Sequence, residues 1–203
     1  MLKQVRRLFG RSRAPSAKSP AASASPVVEA QPPAPASTSS AQDSFALPFE
    51  IRPLQTNDGP ALRQLFRQSI EQIASNHYDA EAVTAWAAGA DNEDFVERLQ
   101  HGLTLVATLH GEYAGFAQLY PADHIEMLYL SPDASGLGIA SLLYQYLEDE
   151  ARMAGSRTLT TASSLTAKRF FESMGFQVDE EETVVRQNVA IKRLRMEKVL
   201  VAS

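Results

Sequence analysis

Between Ala14 and Ser44, 23 of 31 residues are alanine, serine or proline, and this stretch limits what the chain can fold into. With almost no large apolar side chains to offset the entropy of ordering a backbone, it reads as a disordered linker. A packed core must therefore be built from residue 45 onward. The 203 residues divide into a tail, 1–44, and a body, 45–203, of ordinary single-domain length. Charge divides in the same place. The tail carries six basic and two acidic side chains, a net of +4, which leaves −9 for the body out of a total of −5. In the first 13 residues, MLKQVRRLFGRSR, a short helix would set Leu2, Val5, Leu8 and Phe9 against basic residues. Three readings stand side by side there: an organelle transit peptide, a patch for anionic lipid or nucleic acid, or a solvated tail. A cytoplasmic location is expected, with targeting through residues 1–13 as the alternative.

Composition removes several function classes. The chain has no cysteine, which excludes disulfide scaffolds, thiolate zinc sites, iron–sulfur clusters and cysteine nucleophiles. Its four histidines, His77, His101, His110 and His124, include no i,i+4 pair, so a helical two-histidine metal site is absent and no metal is expected. No apolar run approaches the roughly 18–20 residues that span a bilayer. The acidic balance argues against a nucleic-acid surface running the length of the chain.

Within the body, hydrophobic periodicity gives the element order. Phe49–Gln55 alternates as a strand, with Pro53 placing it at a sheet edge. Asp58 is positioned to cap a helix running to Ala74, and Asp79 a shorter one over Ala80–Ala88. Asp91 or Asn92 opens a third helix carrying Phe95, Val96 and Leu99. Leu103–His110, a Gly111-Glu112 turn and Tyr113–Tyr120 then read as a hairpin. His124–Leu130 is a further strand. A long helix ends near Ala154, followed by a strand at Arg157–Thr161 and a helix at Leu165–Met174. Two final strands lie within Phe176–Leu200, with a turn near Gln187-Asn188. This order predicts an α/β (α+β) domain whose mixed, mostly antiparallel central sheet is flanked by helices.

The densest chemical signal is the turn Ser131-Pro-Asp-Ala-Ser-Gly-Leu-Gly-Ile-Ala140 between a strand and a helix. Glycines there permit a tight bend and close approach of a ligand to the main chain. Free N–H groups and the helix dipole favour an anion, typically a phosphate. A nucleotide-triphosphate loop is excluded because no Gly-Lys-Ser/Thr follows. A dinucleotide fingerprint lacks its acidic residue, since Thr160, Thr161 and Ala162 stand at the end of the next strand.

Three blocks together resemble the GNAT superfamily of N-acetyltransferases. Ser135-Gly-Leu-Gly-Ile-Ala140 is similar to its coenzyme A pyrophosphate motif. Ala167-Lys-Arg-Phe-Phe-Glu-Ser-Met-Gly-Phe176 is similar to its Ala-x-x-x-Tyr-Glu-x-x-Gly-Phe block. Asn76-His-Tyr-Asp-Ala-Glu and the following Trp86, with Ala162-Ser-Ser-Leu-Thr-Ala-Lys, resemble a subgroup of small bacterial members. The resemblance covers about residues 49–200 and implies acetyl-CoA as co-substrate. It implies backbone amides of Ser135, Gly136, Leu137, Gly138, Ile139 and Ala140 around the pyrophosphate, and Leu128 and Leu130 main chain along the pantetheine arm. Ser164 and Phe171 would line that arm on the next helix, and His77, Tyr78 and Trp86 would close the acceptor pocket. A homodimer through the C-terminal strands is also in keeping with it. Two positions depart from the pattern. Ser135 replaces the usual Arg or Gln, and Phe171 stands where many members keep a tyrosine that protonates the leaving thiolate.

Acetyl transfer to an amine needs a base for the ammonium proton. Glu126 and His124 lie two apart on one strand, which places their side chains on one face together with Leu128 and Leu130. The expected function is transfer from acetyl-CoA to a primary amine of a small molecule or protein. The alternative is an acyl-CoA-binding module that has lost the chemistry, with the tail directing it to a membrane, nucleic acid or organelle. The body's negative charge leans toward a cationic acceptor.

Overall fold

The computed structural model describes residues 49–200, and readings that concern residues 1–48 or 201–203 lie outside them. Seven strands form one sheet in the order β1-β2-β3-β4-β5-β7-β6. They are β1 (Phe49–Pro53), β2 (Leu103–Leu109), β3 (Glu112–Leu119), β4 (His124–Leu130), β5 (Thr158–Ser163), β6 (Gln177–Arg186) and β7 (Val189–Val199). Five α-helices accompany them: α1 (Gly59–Ile73), α2 (Ala80–Ala87), α3 (Phe95–Arg98), α4 (Ile139–Met153) and α5 (Lys168–Ser173). All neighbouring strands run antiparallel except β4 and β5. The expected class, a mostly antiparallel mixed sheet with helices, is the class found.

Alternation along β2 shows how the sheet is covered. Leu105 and Ala107 join a core with Ile139, Leu143 and Leu147 of α4. Val106 faces the other way, into a core with Leu62, Phe66 and Ile70 of α1 and Phe95 of α3. Both faces of the strand are thus covered, and buried Thr104 meets its need by donating to the Leu99 carbonyl at 2.7 Å. Pro53 does sit on the edge strand, where a missing N–H breaks no ladder.

Several boundaries differ from the sequence reading, each for a local reason. Asp58 occupies the position before α1, but its carboxylate makes no cap. Arg52 takes both of its oxygens, at 2.7 and 2.8 Å. The Gln55 N–H (2.7 Å) and the Tyr113 hydroxyl (2.8 Å) donate to it as well. It thus ties β1 to β3 rather than closing a helix end. Asp79 does cap α2, accepting from the Ala82 N–H. Residues Ala88–Asp91 form a 3₁₀ turn, so α3 starts only after Asp94, not after Asp91 or Asn92. The β2–β3 turn is His110-Gly111, both at positive φ, one residue earlier than expected.

Candidate active site

Strands β4 and β5 pair at only two positions, His124 with Thr160 and Ile125 with Thr161. Beyond them the strands part, and a groove of about 450 Å³ opens between them. On the β4 side, the Ser131 N–H bonds the Ala114 carbonyl of the hairpin strand. N–H directions alternate along a strand, so the Leu128 and Leu130 N–H groups face the groove, where β5 offers no ladder partner. Gly115 of β3 permits this packing: a Cβ there would lie 2.6 Å from Leu130 Cδ2 and 2.9 Å from the Tyr129 carbonyl.

At the mouth of the groove stands the glycine turn. Gly138, at φ +81°, precedes the first residue of α4. Ser135 and Leu137 spend their N–H groups on the Pro132 and Ala134 carbonyls, at 3.1 and 3.4 Å. The first intrahelical bond runs from the Leu142 N–H to the Gly138 carbonyl, so the donors left over at the helix start are Gly138, Ile139, Ala140 and Ser141. Of the six amides that the resemblance implies, two close the turn and three, those of Gly138, Ile139 and Ala140, head the helix. Ser135, Gly136, Gly138, Ala140 and Ser141 line the groove. Leu137 points outward, 55% exposed, and the Ile139 side chain is in the core.

Glu126 owes its position to a bulge. Gln118 of β3 pairs with Met127 and Leu119 with Ile125, so Glu126 is the extra residue. The even alternation expected from the sequence is therefore broken. Ile125, not Glu126, shares a core face with Leu128 and Leu130. A bulge bends the strand and redirects one side chain, and Glu126 emerges where the groove meets two further cavities. Arg98 donates to its Oε1 at 3.0 Å. That arginine is held because buried Gln118 donates to the Arg98 and His101 carbonyls, at 2.6 and 2.8 Å. Nothing in the sequence spacing marks Arg98 as a neighbour of Glu126.

His124 sits beside Glu126, with Nε2 at 3.7 Å from Oε2. Its Nδ1 is 2.8 Å from the Thr160 hydroxyl, which itself donates to the Asp123 carbonyl at 3.1 Å. Thr160 has one proton to give, to the Asp123 carbonyl or to Nδ1, and the tautomer of His124 follows from that choice. Burial holds His124 below its ordinary 6.5, against the opposing pull of Glu126 and Asp123.

The second cavity, of about 100 Å³, lies past Glu126 between the helical layer and the β6–β7 hairpin. Aromatic rings form much of its wall. Tyr78 and Trp86 meet edge to face at 5.5 Å, and Phe66 and Tyr129 tilt together at 4.6 Å. The Tyr78 hydroxyl donates to the Lys192 carbonyl and accepts from the Leu165 N–H, linking α2's entry to β7 and to the loop before α5. Trp86 borders both the groove and this cavity. His77 lies outside both walls, exposed, 3.3 Å from the Thr166 hydroxyl. Ser164 and Phe171 line the groove, Ser164 from the loop ahead of α5, where its hydroxyl accepts from the Ala167 N–H. Tyr129 is the phenol that borders the groove, and burial pushes it up to about 12. Tyr113 stays on Asp58.

Residues 74–200 match the acetyltransferase (GNAT) domain. The chain belongs to the GNAT acetyltransferase family. It is 31% identical over 136 residues to the uncharacterised N-acetyltransferase YafP of Escherichia coli K12, spanning 67% of this chain and 86% of that one. A crystal structure of a GCN5-related N-acetyltransferase from Rhodopseudomonas palustris matches with TM-score 0.73 and 37% identity, over 74% of this chain and 95% of that chain. The PaiA N-acetyltransferase of Thermoplasma acidophilum, solved in complex with coenzyme A, matches with TM-score 0.60 over 75% of this chain and 99% of that one. At 20% identity, that likeness concerns the fold. As a GNAT member the protein is an acyltransferase.

Proposed function

We propose that this enzyme transfers an acetyl group from acetyl-CoA to a primary amine, with Glu126 as the base. The observation that carries the reading is the parting of β4 from β5 after Ile125 and Thr161, directly above the glycine-opened start of α4. The groove fits the co-substrate in its chemistry. Helix-start N–H groups suit a pyrophosphate, and an unpaired strand edge suits an amide-bearing arm that adds to it as a further strand would. The coenzyme A held by the Thermoplasma neighbour supports the same assignment.

Acetyl-CoA, when bound, supplies an acetyl carbon whose bond to sulfur breaks as a bond to the amine nitrogen forms. The Leu128 N–H then faces the developing charge on the carbonyl oxygen. Glu126, at the junction of groove and acceptor cavity, takes the ammonium proton. His124 Nε2, 3.7 Å beyond, passes it outward along the third cavity, whose wall includes Thr160, Glu182 and Arg193. Phe171 offers no proton to the departing thiolate, but a thiol with a pKa of roughly 8.5 leaves acceptably near neutrality. Positioning of the two reactants supplies much of the remaining rate.

Calorimetric titration of the full chain with acetyl-CoA and with desulfo-CoA tests the groove. Micromolar binding of both is expected. Absence of binding at millimolar coenzyme would reduce the glycine turn to an ordinary helix start and end the reading. Glu126→Gln should leave that binding unchanged while lowering kcat by about 10²–10³-fold, the scale of lost general-base catalysis. An unchanged kcat would remove Glu126 from the mechanism.

A further inference from the structure

The acceptor cavity has a charge opposite to that of the body around it. Four basic side chains, Arg98, Arg186, Lys192 and Arg193, border it, against the single carboxylate of Glu126. Three of the four are engaged. Arg98 is on Glu126 at 3.0 Å, Lys192 on Glu181 at 2.9 Å, and Arg193 on Glu182 at 2.5 Å. The exposed side chain of Arg186, the last residue of β6, makes no ion pair or hydrogen bond among the described residues. It borders the acceptor cavity and not the groove. An anion drawn to it therefore belongs to the acceptor and not to the coenzyme. The hairpin turn that follows, Gln187-Asn188, has both residues at positive φ, which fixes the strand end that carries the guanidinium.

We infer that the acceptor is an aminocarboxylate: its amine lies at Glu126, its carboxylate pairs with Arg186, and its carbon body lies against Trp86 and Tyr129. A guanidinium fork matches a carboxylate in two parallel N–H···O bonds, which fixes orientation as well as affinity. Arg186 stands exposed at the rim of the cavity, so it meets the carboxylate at the surface while the aromatic rings cover the carbon body of the acceptor. The cavity of about 100 Å³ suits a small molecule. Net charge summed over the body would favour a polycation, but the walls that touch the acceptor decide, because charges beyond about 8–10 Å are screened at physiological salt.

This inference rests on the acetyl-transfer reading, and one experiment separates the two. Trp86 is the sole tryptophan of the chain and borders the acceptor cavity, so its fluorescence reports acceptor binding directly. The full chain, saturated with coenzyme A, is titrated with matched sets. L-phenylalanine is set against L-phenylalaninamide and phenethylamine, and 4-aminobutyrate against butylamine, with spermidine as a polycation. The same sets are assayed by thiol release with acetyl-CoA. At least one aminocarboxylate should bind and turn over about tenfold better than its uncharged-end counterparts, the scale of one charge-assisted pair. Arg186→Gln should erase that preference while leaving coenzyme A affinity unchanged. Equal or stronger binding of amides, simple amines or spermidine overturns the inference while acetyl transfer stands. So does a panel in which no aminocarboxylate responds. Failure of coenzyme A itself to bind would instead overturn the acetyl-transfer reading beneath it.

Discussion

Asp58 illustrates how one residue can hold the frame on which the site depends. Its side chain is 3% exposed and that of Arg52 17%. The Arg52 hydrogen bonds pull its carboxyl down from 3.8 to about 2 against the desolvation that works the other way, with the Gln55 N–H and the Tyr113 hydroxyl assisting. A folded-state pKa below the unfolded one stabilises the native state at neutral pH, by about 2 kcal/mol for this shift. That stabilisation is complete above pH 3.8 and is lost as pH falls through about 2. Asp58→Asn should therefore lower unfolding free energy in urea by about 2 kcal/mol at pH 7, somewhat below the about 3–5 of a fully buried broken pair. The difference between variant and wild type should shrink as the pH falls from 4 toward 2, as those two pKa values require. A constant difference over that range would mean that the carboxylate does not titrate with folding.

Element by element, the site depends on places where regular structure stops. The β4–β5 ladder ends after two pairs, β4 is bulged at Glu126, and α4 begins on a left-handed glycine. A Cβ at Gly138 would meet nothing within 4 Å, so substitution there is opposed by backbone conformation and not by crowding. Gly138→Ala should cost about 1–2 kcal/mol of stability, the scale of an L-residue forced to φ +81°. Gly138→Asp should cost a similar amount and in addition weaken acetyl-CoA binding by at least about tenfold, because a carboxylate then stands where the helix start favours an anion. Thermal unfolding and calorimetry on the two variants separate strain from charge. Equal coenzyme affinity in both would show that the helix-start amides do not hold the pyrophosphate.

At the scale of the whole molecule, the groove is lined by residues from 69 to 171 and the second cavity by residues from 66 to 193. All of them lie within the unit Asp43–Ser203. A chain that begins at Phe45 should therefore keep the acetyl-CoA affinity of the full protein and its kcat on the best amine. A large loss of either would assign residues 1–44 a part in the reaction. The distribution of charge also belongs to this scale. A net of −9 over residues 45–203 describes the average surface, while the second cavity gathers Arg98, Arg186, Lys192 and Arg193 from three separate elements.

By itself, the sequence determined the element order, the edge position of Pro53 and the glycine turn ahead of α4. These are local properties: period, proline chemistry and glycine at a strand-to-helix turn are all written within a few residues of where they act. Asp79 was legible as a cap for the same reason, whereas Asp58 was not, because Arg52 and Tyr113 compete for its carboxylate from other strands. Only the tertiary structure decided the rest. The bulge at Glu126 exists because β3 and β4 differ by one residue across their pairing. Arg98 meets Glu126 across 28 residues of sequence, and Arg186 joins the second cavity through the fold of the last hairpin. Cross-strand register and long-range ion pairing follow from how separate segments pack, and no window of sequence contains both partners.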